Sequence, residues 1–312
     1  MNISSLCFGC FWLFATISCL AADVGTVTLI DGKPRLLRGT AWYALVEGVR
    51  IRDTDVIDVP EKAQFQLEMT DGGALGLIGP GALYVVSMSP GDAKQRPVID
   101  FWVSRGWLKF DTKPTLARLR MRSGMGSVTT SDAAAVVHLT ADALEVFVET
   151  GSTRVVEPGK PDTAGVEVRG GSFASRAAGK QVITAERAPS TFIGALPRDF
   201  MDPLPLRIAR FGTPREPVLD HEATYPEVQA WLAGPYRVAF GKRFEAKIAT
   251  DPTFKAAVDA TAKTVPDAAA AKAATPPAPA TATAAKVEPP KEEKKAEPER
   301  TWRWPWERAS GK

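Results

Sequence analysis

The chain has 312 residues, 45% hydrophobic and 24% charged, so it is long and apolar enough to bury a substantial core. Its 39 Lys and Arg residues against 36 Asp and Glu residues leave a formal charge of only +3. Proteins that bind the phosphate backbone of nucleic acids concentrate basic residues on one face. No such concentration dominates this sequence, so the composition favours a globular protein and argues against a nucleic-acid partner.

Residues 1–22 have the pattern of a secretory signal peptide. The apolar run from Leu6 to Leu20 is about 15 residues long, shorter than the roughly 20 that a membrane-spanning helix requires, and Ala21 and Ala22 offer a cleavage point after either residue. We therefore expect a periplasmic or secreted protein with no transmembrane helix after cleavage. No Lys or Arg precedes the run, which leaves an uncleaved anchor open, and Cys19 leaves a lipoprotein signal as a minor alternative.

Residues 23–190 predict a mainly β domain. In the clearest strand three apolar residues alternate with three polar ones: Phe65, Leu67 and Met69 with Gln64, Gln66 and Glu68. This period of two predicts a half-buried strand, with Gln66 and Glu68 on the exposed face. Asp71 and Gly72 then predict a tight hairpin turn, and further short strands follow with turn signals about every 8–12 residues. The pattern is typical of an all-β architecture and not of alternating β-α-β units.

Three guanidinium groups are expected on one face of a strand in this domain. Arg118, Arg120 and Arg122 alternate with Leu119 and Met121. Because side chains two positions apart share one side of a strand, the three arginines would line up on the polar side. We treat them as candidate residues for binding an anion or an acidic partner. An ordinary solvated face is the alternative.

Residues 197–263 predict a small helical module. Thr224 and Glu227 have the spacing of a capping box at the start of a helix. Phe240 and Phe244 stand four residues apart, which places them on one apolar helical stripe.

The C-terminal region predicts a linker and a tail. Residues 264–300 are mostly Ala, Pro, Lys, Glu and Thr, and such a segment cannot bury enough surface to fold, so we expect a disordered linker. In the tail, residues 301–312, tryptophans at alternate positions stand beside arginine, and four residues are candidates for partner binding: Trp302, Arg303, Trp304 and Trp306. Exposed Trp beside Arg suits a lipid interface or an aromatic-accepting groove. An inert tail is the alternative.

The sequence predicts no catalytic residue, no cofactor and no metal site. All three cysteines lie in the signal peptide, so cleavage leaves no thiol nucleophile, disulfide or thiolate ligand. We interpret His138 as a structural residue of an apolar strand and place His221 in a solvated acidic turn. Asp53, Asp55 and Asp58 are close in sequence, and paired carboxylates are what glycoside hydrolysis requires. A glycan-active envelope enzyme is therefore the alternative function.

Residues 25–157 resemble the FecR-type domain. The resemblance is carried by residues 45–48, 52–57, 63–78 and 80–84, which read LVEG, RDTDVI, AQFQLEMTDGGALGLI and PGALY. It implies a β-rich, solenoid-like or stacked-hairpin domain in the bacterial periplasm that makes protein contacts. The family's regulators carry an anti-sigma segment and a membrane helix before this domain. Here the domain follows the signal peptide directly, so we expect a stand-alone form that does not control a sigma factor directly.

These observations predict a non-enzymatic binding or scaffold protein of the bacterial envelope. The expected partners are another envelope protein or an envelope surface such as peptidoglycan or lipid. The expected organisation is a signal peptide (1–22), a FecR-like β domain (23–190), a helical module (197–263), a linker (264–300) and a Trp/Arg-rich tail (301–312). The oligomeric state stays open.

Overall fold

A computed structural model describes residues 23–70, 72–89, 97–113 and 117–264, without the side chains of residues 131 and 262–264. The predicted signal peptide, the linker beyond residue 264 and the tail lie outside these residues. The chain divides into two compact units, Met1–Thr261 and Ala262–Lys312. The fold described below is that of the first unit.

The described residues are mainly β, as predicted, with helices in the C-terminal third. The strands are β1 (Asp23–Asp31), β2 (Arg35–Arg38), β3 (Ala41–Ala44), β4 (Arg50–Arg52), β5 (Val56–Val59), β6 (Gln64–Met69), β7 (Ala74–Ile78), β8 (Gly81–Ser89), β9 (Val98–Val103), β10 (Gly106–Thr112), β11 (Arg118–Ser123), β12 (Gly126–Leu139), β13 (Ala143–Val156), β14 (Val166–Arg169), β15 (Phe173–Ala177), β16 (Ile183–Ala185) and β17 (Val218–Glu222). The helices are α1 (Ser190–Ala195), α2 (Tyr225–Ala233), α3 (Arg237–Arg243), α4 (Glu245–Thr250) and α5 (Pro252–Thr264). Within this part of the chain, every helix is too short or too polar to cross a membrane.

The strands form one hydrogen-bonded sheet with two arms. In the first arm the strands pair side by side in the order β17, β3, β2, β5, β8, β9 and β11. In the second arm the order is β4, β1, β6, β7 and β10. The arms meet at β12, whose first half pairs with β11 and whose second half pairs with β10.

The long strands β12 and β13 let the two arms enclose a common core. They pair along their length, and their register shifts between Thr130 and Asp132 and again between Ala134 and Ala135. Irregularities of this kind bend a strand and let it pass from one layer to another. The main core draws side chains from both arms, including Leu83, Phe101 and Met121 from the first and Leu67, Leu77 and Phe110 from the second.

Strand β6 buries both of its faces. Its apolar side chains enter the main core as predicted: Phe65, Leu67 and Met69. The prediction that Gln66 and Glu68 are exposed is wrong, because they are 3% and 1% exposed. Residues 198–208, which we call the strap, cross this face of the second arm. The Gln66 amide donates to the Pro205 carbonyl at 2.7 Å, and the Glu68 carboxylate accepts the Arg207 backbone N–H at 2.6 Å.

A buried lysine also holds the strap. Lys109 on β10 is 1% exposed, and its Nζ donates to the carbonyls of Phe200 at 2.9 Å and Asp202 at 3.0 Å. The same Nζ lies 2.8 Å from Oε1 of Glu149. Burial raises the pKa of Glu149, while the charge of Lys109 opposes that shift. The strap is therefore attached to the sheet through buried polar groups.

Helices α2–α5 pack on the outer face of the first arm and form a second core, whereas Phe192 of α1 packs against Trp107 of β10 and Phe173 of β15. Trp42 and Tyr84 of the arm contribute to it. The stripe residues Phe240 and Phe244 are both fully buried there, and Phe254 of α5 stacks on Phe244 with ring centroids 5.6 Å apart. The apolar stripe predicted from the spacing of Phe240 and Phe244 therefore faces the sheet.

Two local motifs are present where the sequence predicts them. At the start of α2, the Glu227 carboxylate accepts hydrogen bonds from the backbone N–H of Thr224 at 3.0 Å and from its hydroxyl at 2.8 Å. Between β6 and β7, Gly72 has φ of +93°, a conformation that favours glycine, and its N–H donates to the Met69 carbonyl at 2.9 Å. Asp71, the other predicted turn residue, lies outside the described residues.

Candidate partner-binding surface

Strand β11 carries the three arginines, which we call the arginine row, on the outer face of the first arm. Leu119 and Met121 are 1% and 0% exposed in the main core. Arg118, Arg120 and Arg122 therefore project to the opposite side, because successive side chains of a strand alternate. Arg118 and Arg122 are exposed, and Arg120 is half-buried.

One buried carboxylate fixes two members of the row. Strand β9 runs parallel to β11 and pairs Asp100 with Arg120. The Asp100 side chain is 3% exposed and accepts hydrogen bonds from Arg120 Nη2 at 2.9 Å and from Arg122 Nε and Nη2 at 2.9 and 2.7 Å. The hydrogen bond to Asp100 is the largest cause of the raised pKa of Arg122. Charge-assisted bonds of this length are strong and hold both guanidinium planes in place.

A fourth arginine joins the same face through strand pairing. The register places Arg120 opposite Thr129 on β12, and Thr129 opposite Arg154 on β13. Residues directly opposite each other in a ladder share a face. Arg154 was not among the predicted residues, because its place beside the arginine row depends on the order of β11, β12 and β13.

Arg118 and Arg154 line a cleft of about 400 Å³. Other residues of its wall are Thr129, Asp162, Thr163 and Glu167. Both arginines are exposed, and neither forms an ion pair within the described residues. In that same part of the chain, Thr129 Oγ1 and Arg120 Nε are buried without a hydrogen-bond partner. Guanidinium and hydroxyl donors are what a carboxylate or phosphate group requires, so the cleft can take one anionic group.

Acidic side chains reduce the positive charge around the row. Arg120 also bonds Asp162 at 3.2 Å. A smaller cleft of about 180 Å³, lined by Arg120 and Arg122, lies beside Lys160 and Glu157, which pair at 2.7 Å. This pairing is the first cause of the lowered pKa of Glu157. The surface is therefore mixed in charge. The two arginines without an ion pair in the described residues, Arg118 and Arg154, both line one cleft.

The second predicted surface consists of Trp302, Arg303, Trp304 and Trp306. These residues lie outside the described residues, so their role stays a prediction.

The two histidines make contacts of different kinds. His138 stacks on Trp107 with ring centroids 4.0 Å apart, and its Nδ1 lies 2.9 Å from Glu145. His221 belongs to strand β17, where the sequence predicted a solvated turn, and its Nε2 lies 3.0 Å from Glu227. The hydrogen bond that His221 donates to Glu227 is the first cause of the raised pKa of His221. Across the described residues, no group of three or more His, Cys, Asp and Glu side chains could hold a metal ion.

The three aspartates named for the enzyme alternative differ in their surroundings. Asp55 accepts two hydrogen bonds from Arg38, at 3.0 and 2.6 Å, and Asp58 accepts one from Arg35 at 3.0 Å. Burial raises the pKa of Asp53. Two of the three carboxylates are thus engaged in ion pairs that connect neighbouring parts of the first arm.

Comparisons with known proteins give partial likenesses to solved structures. No family model matches the chain, and no curated protein matches it significantly. Two crystal structures, at 1.65 and 2.50 Å resolution, are both described as a "putative anti-sigma factor" from Parabacteroides distasonis ATCC 8503. The first is 14% identical with a TM-score of 0.36 and covers 42% of this chain and 59% of its own; the second is 12% identical with a TM-score of 0.36 and covers 45% and 64%. The matched region thus spans less than two thirds of either chain.

Proposed function

We propose that this chain is a non-enzymatic binding or scaffold protein of the bacterial envelope whose arginine-lined cleft takes an acidic group of its partner. The observation that carries the proposal is the pair of guanidinium groups of Arg118 and Arg154, exposed and without an ion pair in the described residues, on one cleft of about 400 Å³. Export rests on the signal-peptide pattern of residues 1–22.

The electrostatic arrangement favours a narrow acidic ligand over a broad acidic surface. Asp100 and Asp162 already pair with Arg120 and Arg122, so a large negative surface would meet both signs of charge. A single carboxylate between Arg118 and Arg154 would meet two cations that have no ion pair in the described residues, while the acidic wall residues Asp162 and Glu167 already pair with Arg120 and Arg169. The partner is therefore expected to present an acidic side chain, or the carboxylate of an envelope glycan or peptide, at a protruding point.

The test replaces the two free cations. Arg118→Gln together with Arg154→Gln should weaken binding of a fluorescent polyglutamate peptide about tenfold, because each charge-assisted hydrogen bond contributes roughly 1.5–3 kcal/mol and part of this is lost to screening. Anisotropy titrations at low and high salt give the affinity and its salt dependence. The control is Arg187→Gln together with Arg237→Gln, an equal charge change at two exposed positions. Equal affinities of the double variant and the control would rule out the cleft.

A second attachment is proposed for the tail. Its tryptophans would anchor the protein to an envelope surface or a partner groove, while the linker lets the β domain act some distance away. The cleft and the tail would then be two separate points at which the protein binds its partner or the envelope surface.

A further inference from the structure

The arginine cleft adjoins the smaller cleft beside it, and we call the two together the double cleft. Asp162 lies in the wall of both. The strand register places Arg120 opposite Thr129 and Thr129 opposite Arg154. It also places Arg154 opposite Glu167, so a line of polar side chains crosses strands β11 to β14. Neighbouring strands lie about 4.8 Å apart, so this line extends over about 14 Å. A ligand that fills the double cleft is therefore longer than one acidic group.

Carboxylates stand beside arginines along the double cleft. The side chains of Asp162 and Glu167 are 50% and 47% exposed. They pair with Arg120 and Arg169, each at 3.2 Å. A carboxylate has about four acceptor positions, so one ion pair leaves others free. A polyanion would bring like charges against these groups, which is unfavourable. A neutral group that donates hydrogen bonds, such as a hydroxyl, would find an acceptor instead.

Hydroxyl groups line both clefts. Ser152 and Thr163 are exposed and line the arginine cleft, while Ser123 and Ser127 are half-buried and line the smaller one. A hydroxyl both donates and accepts hydrogen bonds. The hydroxyl groups of a sugar have the same property, so the wall of the double cleft is complementary to the polar groups of a glycan.

The double cleft lies on a face of the sheet and not at an edge. Along the line of polar side chains, β12 and β13 each pair with a strand on both sides. Their backbone N–H and C=O groups are therefore used within the sheet. An acidic peptide would bury its own backbone groups here without the main-chain partners that strand addition provides. The polar groups of a glycan are mostly hydroxyls, which side chains can satisfy.

We infer that the double cleft binds an acidic glycan of the envelope in which carboxylates are separated by neutral sugar units. The inference rests on the proposed function and names its ligand. One carboxylate lies between Arg118 and Arg154, and neighbouring hydroxyls donate to Asp162 and Glu167. Sparse carboxylates match the two arginines that have no ion pair in the described residues, whereas a carboxylate on every unit would oppose the acidic wall.

The probe is a tetrasaccharide in which N-acetylglucosamine and N-acetylmuramic acid alternate, because every second unit carries a carboxylate. Chitotetraose is the matched neutral control, since it has the same sugar backbone without the lactyl carboxylates. Titration calorimetry with the full chain should give an affinity for the acidic tetrasaccharide at least about tenfold higher than for chitotetraose, and also higher than for tetraglutamate. Equal affinity for chitotetraose, or equal or tighter binding of tetraglutamate, would overturn the inference.

The acidic wall provides a second test. Asp162→Asn with Glu167→Gln replaces both carboxylates by neutral amides of the same shape. This wall variant should bind tetraglutamate more tightly, because repulsion is removed, but it loses charged acceptors for the sugar hydroxyls. The ratio of tetrasaccharide affinity to tetraglutamate affinity should therefore fall at least about fivefold. Asp142→Asn with Glu186→Gln, the same changes at exposed positions outside both clefts, should leave the ratio unchanged. An unchanged ratio in the wall variant would contradict the inference.

The two arginines separate failure of this inference from failure of the proposed function. Arg118→Gln with Arg154→Gln should reduce binding of the acidic tetrasaccharide to the level of chitotetraose. If this variant lost affinity for the polyglutamate peptide while the wild type did not bind the tetrasaccharide, the choice of a glycan alone would be overturned. If it bound both acidic probes as the wild type does, the proposed function would fail as well. Melting temperatures confirm that every variant is folded.

Discussion

The Asp100 carboxylate combines deep burial with contact to groups that reach solvent. A buried carboxylate is stable as an anion only when charged or hydrogen-bonding partners surround it. Arg120 and Arg122 supply three hydrogen bonds, and their side chains are 27% and 44% exposed. Because the arginines keep part of their hydration, this arrangement avoids the full desolvation cost of a wholly buried ion pair. It also fixes two side chains of the arginine row before any partner binds.

Asp100→Asn should therefore destabilise the fold by about 1–3 kcal/mol, since the neutral amide cannot accept all three charged donors and the two guanidinium groups lose the counter-charge that they share. Urea unfolding followed by fluorescence measures the change. Asp142→Asn, an equal substitution at an exposed position, should have little effect. Equal unfolding midpoints for the two variants would contradict a structural role of Asp100.

At the scale of elements, the start of α2 connects a helix cap with strand β17. Burial raises the pKa of Glu227, but hydrogen bonds from the Thr224 backbone and hydroxyl and from His221 outweigh it and lower the pKa to about 2. The same contact raises the pKa of His221. The folded state thus favours the carboxylate of Glu227 and the imidazolium of His221. The stability that this contact contributes therefore decreases both at low pH and at high pH.

The signs of the two shifts define the pH dependence. The lowered pKa of Glu227 contributes stability that is present above its ordinary value of 4.5 and is lost as pH falls towards about 2. The raised pKa of His221 contributes stability that is present below 6.5 and is lost as pH rises through the raised value. Stability from this contact is therefore greatest between the two ranges, in mildly acidic solution.

Glu227→Gln should lower the free energy of unfolding by about 1 kcal/mol in that range, because it removes the charged acceptor of the cap. The difference from the wild type should shrink as pH falls towards 2. Thermal unfolding between pH 2 and 8 checks the profile, with Glu245→Gln in the exposed first turn of α4 as the control. A difference that is constant over the whole range would contradict the ion-pair origin of the effect.

The elements that the sequence predicts are those set by neighbouring residues. The capping contact joins Thr224 and Glu227, three residues apart, and the turn at Gly72 and the burial of Leu67 follow from local spacing. The covering of Gln66 depends instead on Pro205, 139 residues further along the chain. The period of two identifies the two faces of β6, but it holds no information on which later segment covers the polar face.

At the candidate site, too, the sequence predicts local features and not contacts between distant parts of the chain. Alternation with Leu119 and Met121 is enough to place three arginines on one face. It does not predict that Asp100 on β9 compensates two of them, because the β9–β11 pairing is parallel and non-local. The free cations of the site are consequently Arg118 and Arg154, a pair that only the assembled sheet brings to one cleft.

At the scale of the whole molecule, later parts of the chain cover the outer faces of both arms. The strap lies over β6 and β10 of the second arm, and helices α2–α5 lie over Trp42 and Tyr84 of the first. The arginine cleft is left uncovered in the described part of the chain. This is consistent with the proposed role of binding a partner through an acidic group.

The tail is expected to attach the protein to the envelope without adding to the stability of the β domain. In an extended chain alternate side chains fall on one side, so the three tryptophans can form one aromatic row, and Trp partitions to membrane interfaces. Changing Trp302, Trp304 and Trp306 together to Ser should reduce retention in the envelope fraction several-fold and leave the melting temperature unchanged. Lys291, Lys294 and Lys295 changed to Gln should have neither effect. Wild-type fractionation of the Trp variant would show that the tail is inert. The intact mass of the same preparations tests the signal peptide, because the cleaved protein should lack residues 1–21 or 1–22.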